Sequence, residues 1–143
     1  NGSSWDNVTS PTTQQLQGIT FGNDIFVGVG PAGGIVRSTD NGSSFDNASS
    51  PTNGINQNVT FGNNIFVVAA RAGLIMTSSD NGSSFDNVTT PLTDNLYDIT
   101  FGNNSFIAVG ISGNIIRSND NGSSWDNVTS PTANNIYGIN YLE

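Results

Sequence analysis

Between Leu16 and Ser38 the apolar residues come in short bursts separated by turn formers. Ile19 and Phe21 flank Thr20, Phe26 lies among branched residues from Ile25 to Val29, and Ile35 and Val36 follow within Gly34 to Ser38. Alternation over a few residues predicts a half-buried strand, and a short apolar run bounded by Gly or Pro predicts a buried one. A further burst, Ser4 to Val8, ends before Ser10-Pro11. The expected turns are Gly22-Asn23, Pro31-Ala32-Gly33 and Asp40-Asn41-Gly42, Asn-Gly between β-like runs being a strong hairpin signal. No stretch keeps helical periodicity over about ten residues, and Pro11, Pro51, Pro91 and Pro131 would interrupt any helix.

The same pattern returns every forty residues. NGSSWDN at 1–7 becomes NGSSFDN at 41–47 and 81–87, and NGSSWDN again at 121–127. Units 1–40, 41–80 and 81–120 align without insertion, and 121–143 is a partial fourth in the same single domain. Four short strands per unit of about forty residues predict an all-β fold, a β-propeller of four-stranded antiparallel blades with repeat period 40. About fourteen strands, or about 3.5 blades per chain, are expected, including strands at Ser4–Val8 and Ile136–Tyr141. The competing architecture is a polar β-solenoid.

Ser38-Thr39-Asp40-Asn41-Gly42-Ser43-Ser44-Phe45 resembles the Asp-box, Ser-x-Asp-x-Gly-x-x-Trp. Ser78 to Phe85 and Ser118 to Trp125 match it too, while the first unit keeps only Gly2 to Trp5. With ITFGN, then FVGVG or FIAVG, then I[IV]RS, the whole chain resembles Asp-box, or BNR-like, propellers of the photosystem II assembly factor type. The resemblance implies structural boxes at the propeller's periphery, with Phe in place of Trp at 45 and 85. The residues alone allow the same roles. Asp40, Asp80 and Asp120 can accept from the N–H groups of their own turns, in unit two those of Asn81-Gly82. Gly42, Gly82 and Gly122 permit positive φ, Ser38, Ser78 and Ser118 tie the turn, and Phe45, Phe85 and Trp125 join the core between blades. Asp6, Asp46, Asp86 and Asp126 read as solvated strand-surface carboxylates.

Composition narrows the chemistry. Cysteine and histidine are absent, so thiolate metal sites and the commonest general base are missing. Asp40-x-Gly42 is superficially similar to a calcium loop, but no row of oxygen ligands follows, and neither metal nor cofactor is expected. Sialidases, the enzymatic Asp-box family, use an arginine triad, a Tyr–Glu pair and an Asp acid. Here Arg37 and Arg117 occupy equivalent repeat positions, and the sole glutamate is Glu143. No enzyme is therefore expected. Three Lys+Arg against 11 Asp+Glu give a net charge of −8, which disfavours nucleic acid and anionic membrane surfaces. No apolar run reaches a membrane-spanning length, so no membrane insertion is expected. Sequon-like triplets such as Asn7-Val8-Thr9 matter only where glycosylation operates. The sequence assigns no compartment; a secreted or periplasmic parent is compatible with it.

Ligand contacts would come from positions that vary while the scaffold repeats. The variable windows are 12–18, 52–58, 92–98 and 132–138, and the residues before the glycine at 33, 73 and 113. They nominate Tyr97, Tyr137 and Arg71 as candidate contacts to a protein or a glycan. The bland reading of the tyrosines is packing on a neighbouring blade. Three and a half blades leave faces and edges uncovered, so the chain is expected to pair with itself, most simply as a dimer. Twenty-eight strands would make seven blades, although the phase of the ends is awkward. Units this alike, and termini that fall inside units, suggest a fragment of a larger propeller or an amplified, engineered repeat chain.

Overall fold

The computed structural model describes residues 2–142. Among these, twelve strands form three antiparallel sheets. The first holds β1 (Gly18–Gly22), β2 (Ile25–Val29), β3 (Ile35–Ser38) and β4 (Asp46–Asn47), in that order. The second holds β5 (Asn56–Gly62), β6 (Ile65–Ala70), β7 (Ile75–Ser78) and β8 (Asp86–Val88). The third holds β9 (Leu96–Gly102), β10 (Ser105–Gly110), β11 (Ile115–Ser118) and β12 (Asp126–Asn127). Each sheet is a blade straddling two repeat units. A single 3-10 turn, Ile111–Gly113, interrupts the strands, and no helix is long and apolar enough to cross a membrane.

The hairpin between the first two strands turns on Asn23–Asp24, both at positive φ, not on Gly22-Asn23. Asn63–Asn64 and Asn103–Asn104 repeat it, matching the primed turns that suit strand twist. Gly22 instead pairs with Ile25 as the last residue of β1. Its missing side chain serves the next blade: a Cβ there would lie 2.1 Å from the Phe61 ring. Gly62 receives Phe101 and Gly102 receives Tyr141 in the same way. An aromatic on each first strand thus lies over the glycine of the strand before.

The core lies between the blades. Ile25, Val27, Val29 and Ile35 on the back of the first blade meet Val59, Phe66, Val68, Met76 and Phe85 on the front of the second. Val67, Ala69 and Ile75 on the back of the second meet Leu96, Ile99, Phe106, Ile116 and Trp125 on the front of the third. Strands are therefore apolar on both faces, which explains runs such as IFVVAA. The first strands β1, β5 and β9 pack against each other in turn, so the blades converge on that edge.

Two expected strands are not formed. Residues 4–8 and 136–141 carry no strand. The first is equivalent to β4, which pairs with β3, the third strand of its own blade; among the described residues no third strand lies beside 4–8. The second is equivalent to β1, which pairs with the strand that follows. Outside a ladder, 136–141 is tied instead by the Ile136 N–H to the Gly110 carbonyl and the Ile139 N–H to Asp98. The described residues thus form three complete four-stranded blades of a propeller, with 4–8 and 136–141 outside any ladder where about 3.5 blades were expected.

Candidate functional site

The three Ser-x-Asp turns join the third strand of each blade to the fourth. Asn41 and Gly42 take successive positive φ values of 57° and 82°, and Asn81-Gly82 and Asn121-Gly122 repeat them. The Ser38 hydroxyl donates to Asp40 Oδ1 at 2.8 Å and accepts the Gly42 N–H at 2.9 Å. The Ser44 N–H donates to Asp40 Oδ1 at 2.9 Å, and its hydroxyl to Oδ2 at 2.7 Å. Asp80 is held by Ser78, the Ser83 N–H and both donors of Ser84. Asp120 is held by Ser118 and both donors of Ser124.

These donors differ from the Asn81-Gly82 amides expected of unit two. The Gly82 N–H goes to the Ser78 hydroxyl instead, because the serine, not the aspartate, faces the tip of the turn. Ser44, Ser84 and Ser124 were missed by sequence reasoning. Their signal was present: each is a repeated serine four residues after the aspartate, a reach that closes a small loop.

The donors hold the carboxylates ionised. The Ser44 hydroxyl and N–H, then the Ser38 hydroxyl, lower Asp40 from 3.8 to about 2. Ser124 and Ser118 lower Asp120 to about 2. At Asp80, partial burial works upward, but the Ser84 hydroxyl and N–H, Ser78 and the Ser83 N–H together outweigh it, again to about 2. Carboxylate oxygens already facing O–H and N–H donors are poorly placed for a cation. Among the described residues no three Asp, Glu, His or Cys side chains gather as a metal site.

The turns also seal the blades together. The Arg37 Nε, on β3, donates to the Asn81 carbonyl at 2.7 Å. The Asn23 amide donates to Asn81 Oδ1, and Asn63 to Asn121 Oδ1. Gly82 and Gly122 lie against Val27 and Thr77, on the backs of the preceding blades. Phe85 and Trp125 are buried at these joints, and the Trp125 Nε1 donates to the Gly122 carbonyl at 3.1 Å. Phe45, at the front of the first described blade, is half-buried.

The other candidates fall in two places. Tyr97 and Tyr137 stack with ring centroids 5.1 Å apart, and the Asn135 amide donates to the Tyr137 hydroxyl. Tyr137 stays mostly exposed. Arg71 is exposed in the β6–β7 loop, and among the described residues no hydrogen bond or ring contact joins it to the tyrosines. Beside them Asp98 takes the Asn58 amide on Oδ1 and the Ile139 N–H on Oδ2 at 2.7 Å. An open cleft of about 520 Å³, lined in part by Leu92, Ile115, Val128 and Pro131, holds no titratable side chain.

Three four-stranded blades converging on their first strands define the chain as a β-propeller, here an open arc of one. Its structure is similar to YCF48 from Cyanidioschyzon merolae, with TM-score 0.75 and 22% identity over 91% of this chain and 42% of that one. A structure of YCF48 bound to D1 peptide matches at TM-score 0.74 and 19% identity, over 86% and 42%. An ancestral GH74 enzyme matches at 0.68 and 20%, over 82% and 19%. The computationally designed Ika4 protein matches at 0.68 and 12%, over 91% and 81%. The chain spans less than half the length of the YCF48 chains. At these identities the likeness is one of fold. No family model and no curated protein matches the sequence.

Proposed function

We propose that the chain is a non-enzymatic structural propeller module that completes itself by pairing with a second copy. The observation that carries this reading is the pair of unfinished interfaces at its ends. Ile19, at the front of the first blade, is 57% exposed, whereas its equivalents Val59 and Ile99 are 4% and 3% exposed. At the back of the third blade Ile107 and Ile115 are half-buried, whereas Val27, Val67, Ile35 and Ile75 are buried. Each end is one half of an interface that the chain builds twice inside itself. Propellers close with about four to eight blades. Three described blades fall short of that range, and a pair supplies six blades in place of the seven that a fourteen-strand count suggested. Sedimentation should show a species of twice the 14.9 kDa chain mass; a monomer at every concentration refutes the reading.

Catalysis has little support in the residues. Histidine and cysteine are absent, and the three most perturbed carboxylates are Asp40, Asp80 and Asp120, all engaged by their own turns. On this reading the boxes are structural clips, the role that the Asp-box resemblance implies.

The alternative reading is a protein- or glycan-binding module, favoured by the stack of exposed Tyr137 on half-buried Tyr97 beside Asp98. An aromatic platform next to amide and carboxylate groups suits a peptide or a sugar face. That a related fold is bound to a peptide, as in YCF48, lends it support. Titration with peptide and oligosaccharide libraries, read by tyrosine chemical shifts, tests it, and Tyr137→Ala should abolish any response.

A further inference from the structure

We propose that residues 136–142 are a displaceable stand-in for the first strand of a second copy. Their seat on the back of the third blade is then the docking site through which two chains join. This rests on the self-assembly reading above and specifies its seam.

The seat is recognisable because the chain fills it twice with its own strands. On the first blade, Gly22 receives Phe61 of β5; on the second, Gly62 receives Phe101 of β9. On the third, Gly102 receives Tyr141, and the Ile136 N–H donates to the Gly110 carbonyl as the Asn56 N–H does to Gly30. Residues 136–141 read IYGINY where 16–21 read LQGITF. They share register and apolar spacing, yet they lack what anchors β1. The segment 18–22 is held to β2 by a two-residue turn and five paired positions, whereas 136–141 belongs to no ladder.

The rest of the face is uncovered and already shaped for a Ser-x-Asp turn. Arg37 on the first blade grips the Asn81 carbonyl, and Asn23 and Asn63 grip Asn81 and Asn121. The equivalents on the third blade are Arg117 and Asn103, both exposed. Facing the other way, the first blade offers an unclaimed turn at Asn41-Gly42, a half-buried Phe45 and an exposed Phe21. In the joint, the second copy's Asn41 carbonyl meets Arg117, its Gly42 lies on Ile107, and its Phe21 replaces Tyr141 over Gly102. Both local hairpins survive, because β1 stays with β2 and β12 stays with β11. Only 136–142 has to leave, and the joint is rate- and affinity-limited by that departure.

Analytical ultracentrifugation on full-length variants tests this. Arg117→Ala and Ile19→Thr, both at exposed positions, should weaken the dimer about tenfold or more. Tyr141→Ala removes the stand-in's anchor and should tighten the dimer severalfold or more, approaching about tenfold at each of the two joints, and so about a hundredfold for the closed pair, where the stand-in holds its seat nine-tenths of the time. Opposite signs at Ile19 and Tyr141 are the signature of two strands competing for one seat. Circular dichroism melts at low concentration check that each variant keeps its blades. Should Tyr141→Ala weaken the dimer or leave it unchanged, 136–142 is part of the joint or irrelevant to it, and the proposal fails while assembly stands. An unaltered dimer in Arg117→Ala also overturns it. A wild-type chain that never associates overturns both readings.

Discussion

Asp80 and Asp86 lie six positions apart, on either side of one Ser-x-Asp turn, and both are exposed. Four hydrogen bonds converge on Asp80, while Asp86 only caps the exposed edge of β8. Removing either charge relieves self-repulsion in a chain at net −8. Asp80→Ala should nevertheless cost about 1 kcal/mol, the scale of a lost side-chain cap. Asp86→Ala should stay within about 0.5 kcal/mol. Urea unfolding at matched protein concentration checks the pair. The same carboxylates set an acid limit. Their folded values near 2 lie below the ordinary 3.8. Their contribution is therefore complete above pH 3.8 and is lost as pH falls towards 2. Melting temperature should drop across that window, and Asp80→Asn should drop less steeply than the parent. The aspartate, glycine and aromatic of each turn were legible in the sequence because each answers a stereochemical need. Ser44, Ser84 and Ser124 were not, since a serine in a serine-rich turn looks like filler until its hydroxyl is seen to reach the second carboxylate oxygen.

At the scale of elements, the paired strands were legible because their two-faced apolar runs and Asn-containing turns satisfy a local rule. Residues 4–8 and 136–141 obey the same rule and form no strand, because a ladder needs a neighbour and none lies beside them among the described residues. The start of β5 shows a second departure from the pattern. Asn56 occupies the register of Leu16, Leu96 and Ile136. It is fully buried; its amide reaches the Gly34 carbonyl at 3.3 Å, but its Oδ1 has no partner among the described residues. A buried acceptor without a donor is costly, and the repeat itself shows which residue fits there. Asn56→Leu should therefore stabilise the chain by about 1 kcal/mol, read as a higher urea midpoint with an unchanged slope.

At the scale of the whole molecule, the two ends are unlike. A joint between unlike surfaces is heterologous, and it gives a closed ring only when the rotation per chain divides a full turn. Three blades as half of a six-bladed ring meet that condition. A variant that altered the splay between blades, rather than the joint, should run on into oligomers of no fixed size; light scattering would show this as mass rising with concentration without a plateau.

Residues 1–12 and 121–132 are identical, letter for letter. Trp125 is 6% exposed and Trp5 is 89% exposed. One amino-acid text therefore has two physical fates within one molecule, and the difference lies in what each copy packs against. The second copy packs against the back of the second blade, with Trp125 in the joint, whereas residues 4–8 of the first lie in no ladder. The chain is its own control for how much of a hairpin is written in the hairpin. Hydrogen exchange should find slow amides in 122–128 and fast ones in 2–8. Acrylamide should quench about half of the tryptophan emission readily and the rest reluctantly, as the two burials dictate. If both copies behaved alike, local sequence would be the master of this fold; the unequal pair says that the neighbour is.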